Sequence, residues 1–314
     1  IFRWFSRGVT DFSEMTDISN SLKNTLAENF SVATLQIYEK FVSAIDETTK
    51  YLIKLSDGNY IESVAMTYKH GISVCISTQV GCLMGCRFCA STLGGKVRNL
   101  TPGEILGQVA LLQRDLGKRI SNIVLMGIGE PLDNYDNVIV FLENVNNEKG
   151  MNIGYRHISL STCGLVDKIN MLAKQNMPIT LSVSLHAPDN ATRDKIMPIN
   201  KKYPVEQLIS ACKSYIKSTG RRISFEYILI DGINDTPAYA QALAKLVKGM
   251  LCHINLIPAN FVPESGLNKS TAKKVAAFRD TLLRLNVNAT VRRELGSDIA
   301  ASCGQLRQRM NGEG

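Results

Sequence analysis

Apolar, β-branched runs recur along the chain at 72–78, 120–126, 156–161, 179–185, 223–230 and 252–257. Between them, near 101–117, 134–147, 165–175, 204–218, 235–249 and 270–285, apolar residues fall at helical spacing. Alternating strand and helix predicts an α/β fold, a parallel sheet with right-handed crossovers. Six such units are too few to close an eight-strand barrel, so a partial (β/α)6 barrel is expected. The helix from 101 has a full start signal: Thr101 at the cap, Pro102 in the first turn, Glu104 three residues on. Upstream, residues 1–50 read as helical and amphipathic, with Ser13 or Thr16 as a cap and helical spacing in "ISNSLKNTLAENF". The runs "YLIKL", "ESVAM" and "ISVCIST", with turn residues Asp57-Gly58-Asn59, predict a small β-meander. The organisation expected is therefore 1–50 helical, 51–78 a β-extension into the first barrel strand, 79–290 the barrel, and 291–314 a C-terminal segment.

Composition narrows the class. The 314 residues are 45% hydrophobic and 20% charged, ordinary for a folded chain and unlike disordered or collagen-like sequences. No apolar run approaches the ~18 residues of a membrane span. No secretory signal is visible, and a start at Ile1 rather than Met suggests a missing or processed N-terminus. A cytoplasmic protein is expected. With 36 Lys and Arg against 28 Asp and Glu, the net charge is +8, which favours polyanionic partners without proving one.

Eight cysteines in a chain of this size, without a signal peptide, point to metal or redox chemistry more than to a disulfide framework. The strongest signal is "GCLMGCRFCAS". Cys82, Cys86 and Cys89 form C-x3-C-x2-C on one loop after the first core strand, flanked by Gly81 and Gly85. Thiolates select zinc or iron–sulfur centres. Structural zinc wants four protein ligands, and no second C-x2-C exists, although Cys75 or His70 could serve as the fourth. Three cysteines on a four-iron cluster instead leave one iron open to a substrate.

In a β/α barrel, functional residues collect at the C-terminal ends of strands. This chain places Gly129 and Glu130 in "MGIGEP", Ser161 in "LSTCG", Ser184, Leu185 and His186 in "VSLHAP", and Asn260 in "LIPANFVP". Singly, each has a plain reading: a turn residue, a cap, a satisfied interior histidine. Together they ring one rim, where a carboxylate can accept from an ammonium group and hydroxyls or an amide can hold a carboxylate and ribose.

The cysteine loop, with Phe88 before its last cysteine, resembles the radical S-adenosylmethionine superfamily. "GCLMGCRFCASTLGG", "LMGIGEPLDN", "SVSLHAP", "FEYILIDGIND", "INLIP" and "GSDIAASCGQL" together resemble ribosomal RNA adenine methyltransferases of the RlmN type, with Cfr as nearest relative. The resemblance runs from about residue 2 to Arg309. It implies that residues 1–50 are the remnant of an N-terminal accessory helical domain. It further implies a 4Fe–4S cluster on Cys82, Cys86 and Cys89. S-adenosylmethionine would sit against Gly129, Glu130, Ser161, Ser184, Leu185, His186 and Asn260, with two molecules used per turnover.

On their own, Cys75 and Cys303 read as small buried hydrophobes, and Glu62 as a strand residue. The resemblance makes Cys303 the methyl carrier, Cys75 its partner in a transient disulfide, and Glu62 a proton acceptor. Cys303 would take a methyl from one S-adenosylmethionine. A second, cleaved at the cluster, would turn that methyl into a carbon radical that adds to adenine. Cys163, Cys212 and Cys252 match nothing functional and read as core.

The implied partners are 23S ribosomal RNA, with transfer RNA a further candidate, and an external flavodoxin-like electron donor; the chain is expected to act as a monomer. Basic pairs at Lys118-Arg119, Lys201-Lys202, Arg221-Arg222, Lys273-Lys274 and Arg292-Arg293, with Arg307 and Arg309, read mostly as solvated faces. Arg292-Arg293, then Lys96 and Arg98, are the expected phosphate contacts. Two other functions stay open: methylation of carbon 8 in place of carbon 2, and a zinc-stabilised RNA-binding protein without catalysis.

Overall fold

A computed structural model of the chain describes residues 1–30, 32 and 35–307; Arg309 lies outside them. Two short helices, α1 (Phe2–Phe5) and α2 (Asn20–Asn29), open the chain. Four antiparallel strands follow: β1 (Gln36–Val42), β2 (Thr48–Lys54), β3 (Tyr60–Tyr68) and β4 (Gly71–Cys75). A small hairpin, β5 (Gln79–Gly81) with β6 (Lys96–Asn99), brackets the cysteine loop. Helix α3 (Pro102–Leu116) then leads into β7 (Ile120–Leu125), α4 (Tyr135–Asn146) into β8 (Ile158–Thr162), and α5 (Val166–Leu172) into β9 (Thr180–Ser184). Helices α6 (Asn190–Ile196) and α7 (Val205–Thr219) precede β10 (Ile223–Leu229). Helix α8 (Pro237–Leu246) precedes β11 (Cys252–Pro258), and α9 (Ala272–Arg284) precedes β12 (Ala289–Val291).

One ten-stranded sheet runs β1-β2-β3-β4-β7-β8-β9-β10-β11-β12, parallel from β4 onward. Along β7, β8 and β11 fully buried residues of the helix-side face are interspersed with partly exposed ones. On the helix side, Ile123, Leu160, Val183, Phe225 and Leu256 pack with Val109, Phe141, Leu208, Leu243 and Phe278 in one continuous core. Each large side chain so buried stabilises the fold by roughly 1.5–3 kcal/mol. The α3 capping box forms as expected: Thr101 Oγ1 accepts from Glu104 N, and Glu104 Oε2 accepts from Thr101 N at 2.9 Å.

Alternation places side chains on opposite faces. Val74 joins the helix-side core, while Cys75 faces the other way among Val64, Met66, Ile128 and Leu306.

Three expectations are corrected. The helical reading of 1–50 ends at Asn29, because 36–42 form edge strand β1 and β2 begins at Thr48. A seventh parallel strand, β12, extends the six expected. Helix α6 interrupts what looked like one connection between β9 and α7. Among the described residues no helix is long and apolar enough to cross a membrane.

Candidate active site at the strand ends

The loop after β5 turns tightly. Gly81 and Gly85 take positive φ of 77° and 68°, the left-handed region that glycine enters without a Cβ penalty. Backbone bonds lock it: Cys82 N donates to Gly95 O at 2.7 Å, Cys89 N to Cys86 O at 3.0 Å, and Arg87 N to Ile196 O of α6 at 3.0 Å. The result is that Cys82, Cys86 and Cys89 all line one cavity of about 150 Å³ at the ends of the parallel strands.

Burial raises all three thiols: Cys82 is pushed up to about 12, Cys86 lies well above the ordinary value, and Cys89 is also raised. Such thiols ionise only against a strong positive charge, which is what iron supplies. Among the described residues no three His, Cys, Asp or Glu side chains converge on a single ion. The three thiols line a space instead. Neither alternative zinc ligand lines this cavity: Cys75 packs on β4 and His70 stacks on Tyr68. The donor set and the space therefore suit a cluster open on one side.

The rim residues close in from the other strands. Gly129, Glu130, Ser161, Ser184, His186 and Cys303 line the same cavity. Gly129 adopts a φ of 106°, and a Cβ there would stand 2.6 Å from Gln79, so only glycine fits. Gln79 Oε1 accepts from Glu130 N at 2.8 Å. Glu130 is held by Leu132 N on Oε1 at 3.0 Å and by Cys163 N on Oε2 at 2.7 Å. Desolvation pushes its carboxyl upward, and these donors oppose the shift. His186 also has positive φ, 59°; its Nδ1 accepts from Ile228 N at 3.0 Å. Burial, then the Arg193 cation, hold it neutral, with its value lowered to about 3.

The C-terminal segment docks on the cysteine loop. Ala90 N donates to Gly304 O at 2.7 Å, and Ser91 Oγ to Leu306 O at 2.6 Å. Gly304, at φ 83°, lies so close to Phe88 that a Cβ would meet its carbonyl oxygen at 3.0 Å. Cys303 thereby reaches both the main cavity and an adjoining one, which Asn260, Arg293, Tyr68 and Met66 also line.

Four predicted residues do not line the main cavity. Leu185 is buried beneath it, donating to Glu226 O and accepting from Arg193. Asn260 donates to Cys303 O at 2.8 Å. Cys75 is electrostatically coupled to Cys303; burial first, then Cys303, pushes its thiol up to about 12, while Arg292 pulls it down. Glu62, on the same face of β3 as Val64 beside Cys75, accepts from Arg307 N at 2.9 Å and stands 3.6 Å from Lys50 Nζ.

The expected phosphate contacts need correction. Arg292 turns inward, lining the cavity with Glu226 at 3.9 Å and Met126 at 3.7 Å, and the Cys303 sulfur is the main influence holding it cationic. Arg292 lines both the main and the adjoining cavity, and Arg293 the adjoining one alone. Lys96 pairs with Asp133 at 2.6 Å, and Arg98 with Asp57 at 2.6 Å and Glu104 at 2.7 Å, so both cations serve the fold locally. Sequence reasoning missed Glu226, Cys163 and Arg193 as site residues, and the inward placement of Arg292. Period-two alternation in "ISFEYIL" was the available signal for Glu226.

Comparison with known proteins agrees with this geometry. The radical SAM superfamily model matches residues 76–241. The chain is 54% identical over 309 residues to a "Probable dual-specificity RNA methyltransferase RlmN" of Clostridium novyi, covering 98% of this chain and 90% of that one. A protein of the same description from Desulforamulus reducens is 55% identical, covering 98% and 89%. The crystal structure of a radical SAM methyltransferase from Sphaerobacter thermophilus superposes with a TM-score of 0.92 at 42% identity, covering 95% of this chain and 88% of that one. A three-thiol loop, a rim built to hold a small ligand, and near-full-length identity of this order place the chain in the RlmN family of radical S-adenosylmethionine RNA methyltransferases.

Proposed function

We propose that this enzyme methylates carbon 2 of an adenosine in 23S ribosomal RNA, with transfer RNA as a second substrate, in the cytoplasm. The observation that carries the reading is that Cys303 opens on the same cavity as Cys82, Cys86 and Cys89, with Cys75 coupled to it from behind.

Carbon 2 of adenine is an amidine carbon, electron-poor, and cannot displace a methyl from a sulfonium. A cysteine sulfur can. Cys82, Cys86 and Cys89 would hold a 4Fe–4S cluster, which with bound S-adenosylmethionine supplies a carbon radical by one-electron cleavage of the sulfonium. The Glu130 carboxylate is oriented by two backbone donors, Leu132 N and Cys163 N, and its backbone by the Gln79 side chain, to accept from an ammonium group, with Ser161 and Ser184 also lining the cavity as hydroxyl partners. The neutral His186 ring packs edge-on against Phe88 at 4.7 Å and shapes the wall without adding charge. Cys303 faces Arg292, a cation beside which sulfur acts as nucleophile, and takes the methyl. After the carbon joins the base, the adduct gives up one electron to the external electron carrier and its ring proton to Cys75 or Glu62. The Cys75 thiolate then attacks the Cys303 sulfur; the carbon–sulfur bond breaks with its electron pair on the carbon, which takes a proton to become the methyl, and the disulfide left behind is reopened by an external reductant. A low-potential electron donor from outside the chain completes the cycle, and two molecules of S-adenosylmethionine are used.

The test is mass spectrometry of nucleosides from ribosomal and transfer RNA treated with the reconstituted enzyme. 2-Methyladenosine supports the reading; methylation at carbon 8, or none from a cluster-loaded enzyme, overturns it.

A further inference from the structure

Arg193 is the largest fully buried side chain among the described residues, at 0% exposure, and it lies on α6 against the cysteine loop. Its fork is spent on carbonyls: Nε donates to Leu185 O at 2.9 Å, Nη2 to Cys163 O at 2.7 Å and Ser184 O at 3.0 Å, and Nη1 to Asn200 Oδ1 at 3.1 Å. Among the described residues no carboxylate pairs with it. Asp194, exposed to solvent, connects only through Asn200, whose Nδ2 donates to Asp194 Oδ1 at 2.7 Å. A buried cation without a counter-ion is costly, and arginine cannot escape by losing its proton. After desolvation, the largest electrostatic influences on it are the Cys163 and Cys86 thiols, followed by Cys212 and the solvent-exposed Asp194.

We propose that Arg193 is the built-in counter-charge of the iron–sulfur centre and raises its reduction potential. The inference rests on the cluster assignment above. One-electron reduction adds a negative charge to the centre. A fixed cation in a desolvated setting beside one of its thiolates favours that added charge, and net charge and exposure are what set such potentials. The same guanidinium ties the ends of β8 and β9 together, so the rim that carries Ser184 and the cation that tunes the centre are one device.

The full chain, reconstituted without oxygen, is titrated with dithionite and mediator dyes, and the reduced centre is read by electron paramagnetic resonance. Arg193→Gln is expected to make reduction at least tenfold less favourable, about 59 mV more negative for one electron. Arg193→Lys keeps the charge and loses the fork, and is expected to stay within twofold of the parent. Equal shifts in both variants, or none in Arg193→Gln, overturn the proposal. Where Arg193→Gln fails to fold, Asn200→Asp sets a carboxylate against the guanidinium and should lower the potential; an unshifted value overturns it. A parent without any cluster signal sinks the functional reading instead, and the two failures are thus distinct.

Discussion

Asn260 Nδ2 donates to the backbone carbonyl of Cys303 at 2.8 Å, tying the end of β11 to the proposed methyl carrier. Cys303 belongs to an irregular segment, held also by the Gly304 and Leu306 carbonyl contacts to Ala90 and Ser91, by Ser302 Oγ on Leu295 O, by Gln305 on Phe261 O and by Arg307 N on Glu62. Loss of one hydrogen bond of about 1 kcal/mol on such a segment lowers the ratio of aligned to unaligned states by up to about fivefold. Asn260→Ala is therefore expected to slow methyl transfer to RNA by about that factor, while iron content is unchanged. Methylation kinetics with parallel iron analysis check it.

Cys75 and Cys303 divide one task. Cys303→Ala should abolish methylation and keep the cluster. Cys75→Ala should leave the carbon bound to both sulfur and base, seen as an RNA–protein adduct on a denaturing gel. Normal turnover by Cys75→Ala would show that its thiol does not resolve the adduct.

Glu62 and Lys50 form a buried pair at 3.6 Å that also carries the Arg307 backbone. Breaking a buried pair from one side costs about 3–5 kcal/mol, because the remaining charge stays desolvated. Glu62→Gln should lose stability of that order in urea unfolding, and adding Lys50→Met should restore much of it. A loss of activity in Glu62→Gln without loss of stability would instead mark proton transfer as its main work.

His186 makes stability pH-dependent. Its folded value, lowered to about 3, lies below the unfolded value of about 6.5. Its contribution is complete above about 6.5, where both states are neutral. As pH falls below that value the unfolded state gains a proton first, and stability drops by up to about 1.4 kcal/mol per pH unit until the folded ring titrates. Urea midpoints between those two values should flatten in His186→Gln relative to the parent.

Much of the barrel was legible because the parallel strands carry short β-branched and aliphatic segments whose apolar residues alternate toward the buried face, as in "ISLST" and "TLSVS", and because Thr101 and Glu104 announce α3. Strand β1, "QIYEKFV", was not, since an exposed edge carries no inside–outside alternation. Strand β12 is too short to show a pattern. The cysteine spacing revealed the loop, but not that Arg193 would be drawn wholly inside. A charged residue on a seven-residue helix reads as solvated, and only the tertiary placement of the Leu185, Ser184 and Cys163 carbonyls explains its burial. Arg292 was singled out as a phosphate contact, but not as a cation facing the cavity: a basic pair looks like surface until β12 turns one member inward.

The most direct test of the central claim follows the hydrogens of the transferred methyl. With S-adenosylmethionine deuterated in its methyl group, passage through Cys303 and a radical step must remove one deuterium before the carbon joins the base. The predicted product is a methyl holding two deuteriums and one solvent hydrogen, with the third deuterium in the nucleoside by-product. Arrival of the methyl with all three deuteriums would mean direct displacement and would contradict the account.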